Sequence, residues 1–242
     1  MNRLFALTLM ILFSASNASA DYCLTVREHK DSHYHHGSMQ PAEDSENEIW
    51  FADDRIAIHQ KERRFIIDSA ARKFTVVEMK DSVYIETPLP LELSALVPEE
   101  QVMRLAMFPT VGEVEKLHET RKINGKNCNG YLLKTWVMYQ GNRYNERESR
   151  IWSTSDIPVK RELLDLLNRT TASLRNMSDQ LKTDFSDITG INFLSETVEY
   201  SEGFEIYSST EVVKCGEMEP AADVYSIPDG FSKQERLSPG RR

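Results

Sequence analysis

A chain of 242 residues with 40% hydrophobic and 28% charged residues has the composition of an ordinary globular protein, which excludes fibrous, collagen-like and disordered classes. Its formal charge of −9 at pH 7 disfavours non-specific attraction to nucleic acid or anionic lipid head groups.

The first twenty residues read as a secretion signal. Arg3 is the positive start, Leu4 to Phe13 is an apolar run too short to span a bilayer, and Ala18-Ser19-Ala20 fits a signal-peptidase site, so the mature chain is expected to begin at Asp21. No later stretch is long and apolar enough for a membrane anchor, and the residues before Cys23 do not form a lipidation motif. The mature protein is expected to be soluble and periplasmic.

Tyr22 to His29 alternates as a first strand. Lys30 to Glu48, acidic and with almost nothing to bury, reads as a mobile loop. Five short strands follow, Ile49 to Ala52, Arg55 to His59, Arg64 to Asp68, Lys73 to Met79 and Val83 to Thr87, with connections short enough to demand antiparallel neighbours. Pro88 and Pro90 end that run. Pro98-Glu99-Glu100 starts a short helix that stops at Phe108, before Pro109. Strands are then expected at Glu113 to Thr120, Cys128 to Met138 and Tyr144 to Ser153.

Between Pro158 and about Lys182 the spacing predicts one long amphipathic helix whose apolar face carries Leu163, Leu167, Leu174, Met177 and Leu181. That face is expected to pack as core, with lining of an apolar ligand as its functional alternative. Two strands, Phe193 to Tyr200 and Glu205 to Val213, complete the sheet, and the chain from residue 234 to 242 reads as a frayed tail. The fold class is α+β, mainly β: one domain over residues 21–233, with about ten strands in a curved antiparallel sheet covered by the long helix and the shorter one.

Three cysteines in an exported chain suggest one disulfide. Of the three pairings among Cys23, Cys128 and Cys215, Cys128 with Cys215 is favoured, because alternating strands put them at the same end of the sheet. His29, His33, His35 and His36 crowd into eight residues and could share a divalent ion with Asp31 or Glu43, although a solvated polar loop is the favoured reading. The nucleophile-elbow, zinc-helix and phosphate-loop signatures are missing. No cofactor and no enzymatic activity are expected.

Trp50-Phe51, Asp53-Asp54-Arg55, Ile66-Ile67-Asp68, Lys80-Asp81 and Tyr84 with Glu86-Thr87, then Gly125, Cys128, Tyr131, Ile151-Trp152, Asp156-Ile157-Pro158 and Ser226-Ile227-Pro228-Asp229-Gly230-Phe231, resemble in order a group of exported bacterial proteins of unknown function. That group is similar in architecture to the periplasmic lipoprotein carriers of the LolA type. The resemblance implies a half-open barrel with helices across its mouth and a periplasmic setting; it carries no catalytic or binding residue over. The resulting expectation is a non-enzymatic protein that binds a lipid or other apolar ligand in the concavity. A metal-binding module built on the histidine segment, or a scaffold partner in an envelope complex, are the alternatives.

Overall fold

The computed structural model describes residues 20–35, 37–201 and 203–237. All but the last residue of the expected signal, and His36, lie outside that set. In chain order the strands are β1 (Asp21–Lys30), β2 (His33–His35), β3 (Ser38–Gln40), β4 (Glu43–Phe51), β5 (Arg55–His59), β6 (Arg63–Asp68), β7 (Lys73–Glu78) and β8 (Val83–Pro88). A 3-10 turn at Leu93–Ala95 and helix α1 (Glu99–Met107) separate these from β9 (Thr110–Ile123), β10 (Lys126–Tyr139) and β11 (Asn142–Thr154). Helices α2 (Arg161–Leu174) and α3 (Asp179–Phe185) precede β12 (Ile191–Ser201), β13 (Phe204–Met218) and the short β14 (Ser232–Lys233).

Twelve strands form one open sheet in the order β14-β8-β7-β6-β5-β4-β1-β13-β12-β11-β10-β9, antiparallel throughout except for the parallel β14–β8 pair. Strand alternation gives the sheet two distinct faces. One register row, Leu24, Ile49, Ile58, Phe65, Val76 and Ile85, crosses six strands and packs in the main core with Leu163, Leu164 and Leu167 of α2. The neighbouring row on the other face begins Cys23, Trp50, Ala57 and is covered by Val224. At the far end of the sheet Tyr131, Leu133 and Ile151 form a second core with Ala172, Met177, Leu181 and Phe185.

The sheet is strongly curled. Asn124, in the β9–β10 turn, donates its side-chain amide to the Val212 carbonyl of β13, although β11 and β12 lie between. Three strand spacings in a flat sheet would be about 14 Å, far beyond hydrogen-bond reach.

Three expectations are corrected here. The segment read as a mobile loop is largely strand: β4 pairs with β1 from Lys30↔Glu43 to Tyr22↔Phe51, and β2 pairs with β3 as a small separate hairpin. Its polar residues hide the pattern because the side chains on this part of the ladder pair across strands rather than bury, with Arg27 reaching Glu46 at 3.2 Å and His29 reaching Asp44 at 2.9 Å.

The single long helix is two. Asn176 turns left-handed at φ 51° after α2, and Ser178 caps α3 by accepting the Leu181 N–H at 3.3 Å. The tail is docked as far as Leu237: Gln234 N–H donates to Tyr84 O at 2.8 Å and Leu237 N–H to Leu96 O at 2.7 Å.

Candidate functional site

Helix α2 has two working stripes. Leu163 and Leu167 point into the main core, while Met177 and Leu181, beyond the helix end, are buried in the second. Leu174 is 36% exposed because α2 stops there. The expected apolar face is therefore packed core at Leu163, Leu167, Met177 and Leu181 and surface at Leu174.

A different stripe lines open space. Leu166, Arg169, Thr170 and Ser173 recur at helical spacing and form one wall of a cavity of about 320 Å³, completed by Ser69, Arg72, Leu89, Pro90 and Leu91. An adjoining cavity of about 250 Å³ shares Leu91 and Ser173 and continues between Val102, Leu105 and Ala106 of α1 and Asn176 and Lys182. Together they make one groove between α2 and the 89–106 segment, lined by apolar Leu89, Leu91, Leu105 and Leu166 and by polar Arg72, Arg169, Asn176 and Lys182. Volumes in this range suit small ligands.

The groove wall formed by α1 is lightly attached. None of its residues is buried, and Met103 and Met107 are 73% and 63% exposed. Its C-terminus is held by Asn176, whose Nδ2 donates to Leu105 O at 2.9 Å and Phe108 O at 3.2 Å. Phe108 continues into an aromatic ladder, 5.7 Å from Tyr139, which is 6.0 Å from Tyr144.

Positive charge stands at the groove. Arg72, in the β6–β7 turn, has a left-handed backbone at φ 52°, and its carbonyl accepts the Leu89 N–H at 2.8 Å, tying that turn to the groove floor. Arg169 projects from α2. Sequence reading missed both, since single arginines at a turn and on a helix flank carry no motif; the polar second stripe of α2 and the apolar Leu89-Pro90-Leu91 step were the available signals.

In the histidine segment, His29 and His33 are engaged by neighbouring groups. His29 Nδ1 lies 2.9 Å from Asp44 Oδ1 and its Nε2 lies 2.9 Å from Asp31 Oδ1, so both ring nitrogens face carboxylates and the protonated ring donates to each. These contacts hold the His29 pKa above its usual value. His33 Nδ1 lies 3.0 Å from the Asp31 carbonyl oxygen. His35 is on β2, and among the described residues no group of three metal-ligating side chains converges.

All three cysteines are free thiols, so the expected Cys128–Cys215 disulfide is not formed. Cys128 and Cys215 sit on β10 and β13, with two strands between them. Burial pushes the Cys23 thiol up to about 12 and raises that of Cys128 as well.

No helix among the described residues is long and apolar enough to cross a membrane. No family model matches the sequence, and no curated protein matches it. Among solved structures, the chain is similar to a domain from Vibrio parahaemolyticus described as a candidate outer membrane lipoprotein-sorting protein domain. The identity is 6% over 84% of this chain and 88% of that one, with a TM-score of 0.29. A likeness that distant assigns no residue a role, and the open curled sheet stands on its own strand order.

Proposed function

We propose that this is a non-enzymatic exported protein, working in the periplasm, that binds a small lipid-like molecule in the groove between α2 and the 89–106 segment. The observation that carries the reading is the groove itself: two adjoining cavities share Leu91 and Ser173, and α1, the wall that closes one of them, buries none of its own residues. An apolar chain laid on Leu89, Leu91, Leu166 and Leu105 leaves water at a gain of about 0.8 kcal/mol per buried CH₂. A wall so lightly held can move aside to admit it at small cost.

Native mass spectrometry of the purified protein tests this directly. The expected result is a co-purified or added fatty acid bound at one equivalent, lost when Leu166 is replaced by Glu. A ligand-free protein that takes up no fatty acid would overturn the reading.

One observation favours a second reading, an envelope partner. Met103, Met107, Tyr139 and Tyr144 are exposed, and the two tyrosines stack in series with Phe108 at the end of α1, a composition typical of protein interfaces. In-cell crosslinking from Tyr139 would give a specific adduct under this reading and none without it.

A further inference from the structure

We infer that the ligand of this groove is an anionic amphiphile whose head group is bound by Arg72 and Arg169. The inference rests on the groove being a binding site and adds the chemical class of what it holds.

The chain has 38 acidic residues against 29 lysines and arginines, so carboxylates are plentiful. Among the described residues Arg27, Arg55, Arg63, Arg64, Arg143, Arg147 and Arg161 each reach one, whereas Arg72, Arg169, Arg104 and Arg150 are among those that do not. Of these unpaired arginines, Arg72 and Arg169 line the groove. For Arg169 the local sequence explains the lack of a partner. Asp165, one turn before it, is engaged by Arg161 at 3.8 Å, and the position one turn after it is Ser173, a hydroxyl that also lines the groove.

Arg72 is held by its backbone. Its φ of 52° is a conformation that Asn or Gly adopts more readily, and the Leu89 N–H bond to its carbonyl fixes the turn against the groove floor. Arg72 and Arg169, both exposed on the lining of one cavity, present planar donors to a molecule entering it. Carboxylate and phosphate oxygens match such donors. Glu92 lines the adjoining cavity beside α1 together with Lys182, so the residues lining the cavity that holds Arg72 and Arg169 include no acidic side chain.

Palmitate, palmitoyl lysophosphatidate and neutral monopalmitin share an acyl chain and differ in head group. Titrated calorimetrically into the full mature chain, the two anions should each bind at least tenfold more tightly than monopalmitin, with the advantage shrinking as salt is raised. The ratio between palmitate and lysophosphatidate separates a fatty-acid head from a phosphate one.

Arg72→Asn, which tolerates the left-handed backbone, combined with Arg169→Gln should bring the anions down to the monopalmitin affinity while leaving monopalmitin unchanged. Equal affinity for all three probes in the unaltered protein, or an undiminished anion preference in the double variant, would overturn the anionic assignment and leave the groove reading standing. Failure of all three probes to bind overturns both. Circular dichroism of the variant confirms the fold, and Arg169→Glu, a change on an exposed helical position, gives an independent second test of the same loss.

Discussion

The side chain of Asn176 closes the end of α1: its amide donates to the carbonyls of Leu105 and Phe108, at 2.9 and 3.2 Å, from the left-handed corner between α2 and α3. One residue thus terminates α2, starts the turn into α3 and holds a helix that buries nothing of its own. Asn176→Gly keeps the backbone conformation and removes both bonds. The α1 amides should then exchange with solvent markedly faster, and stability should fall by about 1–2 kcal/mol, as two net hydrogen bonds imply. Hydrogen-exchange mass spectrometry checks the first and urea denaturation the second.

The two kinds of leucine on the α2 segment should separate cleanly. Leu167→Ala opens a cavity in the main core and should cost about 2–5 kcal/mol. Leu174→Ala, at a third exposed, should cost well under 1 kcal/mol. Equal losses in chemical denaturation would mean that the helix continues through Leu174 as a single amphipathic element.

The C-terminal segment is strapped across the face of the sheet opposite α2. Arg64 Nη1 donates to the carbonyls of Asp223 and Ser226 at 2.7 and 2.9 Å, and Tyr225 Oη donates to Asp21 Oδ2 at 2.7 Å. Arg64→Met should release the strap, at a cost of about 1.5–3 kcal/mol expected for hydrogen bonds from a charged donor. Limited proteolysis should show new cleavage within residues 219–237 while the rest of the chain stays resistant.

His29 should titrate above its ordinary value of 6.5, because Asp44 and Asp31 accept from its two nitrogens. With the folded pKa above the unfolded one, its contribution is complete below the unfolded pKa and disappears as pH rises through the folded pKa. His59 works in the opposite sense: burial lowers its pKa, so its contribution is present above the unfolded pKa and lost as pH falls through the folded one. NMR titration should give a raised midpoint for His29 that drops in Asp44→Asn; a midpoint at the free value would show the clamp to be absent in solution.

The thiols should differ in reactivity. Cys23 and Cys128 are buried with raised pKa values, whereas Cys215 is half-buried. Iodoacetamide at neutral pH should alkylate Cys215 in the native protein and all three only after denaturation. Intact mass without reductant should correspond to three free thiols.

The meander from β5 to β8 was legible in the sequence because each strand buries an alternating apolar face and each turn is short, so period and breaks agree. The strands β10 to β13 were legible for the same reason, although each runs longer in the structure, on polar residues that pair without burial. Residues 43–48 were opaque. Their strand exists through partners on β1, and a charge that pairs across a ladder looks, in one dimension, like a charge in a loop.

The break at Asn176 was opaque as well, since the apolar spacing runs through it from Leu174 to Leu181 and the reversal is fixed by contacts to α1. The groove belongs wholly to tertiary structure. Arg72 and Arg169 are 97 positions apart in sequence, and only the packing of α2 on the β5 side of a curled sheet brings the turn after β6 to the flank of that helix. The strand-rich class was legible from period and turn residues alone. Which face of α2 is core and which is open was decided by the curl of the sheet, because burial depends on what lies opposite a side chain, and no local pattern encodes that.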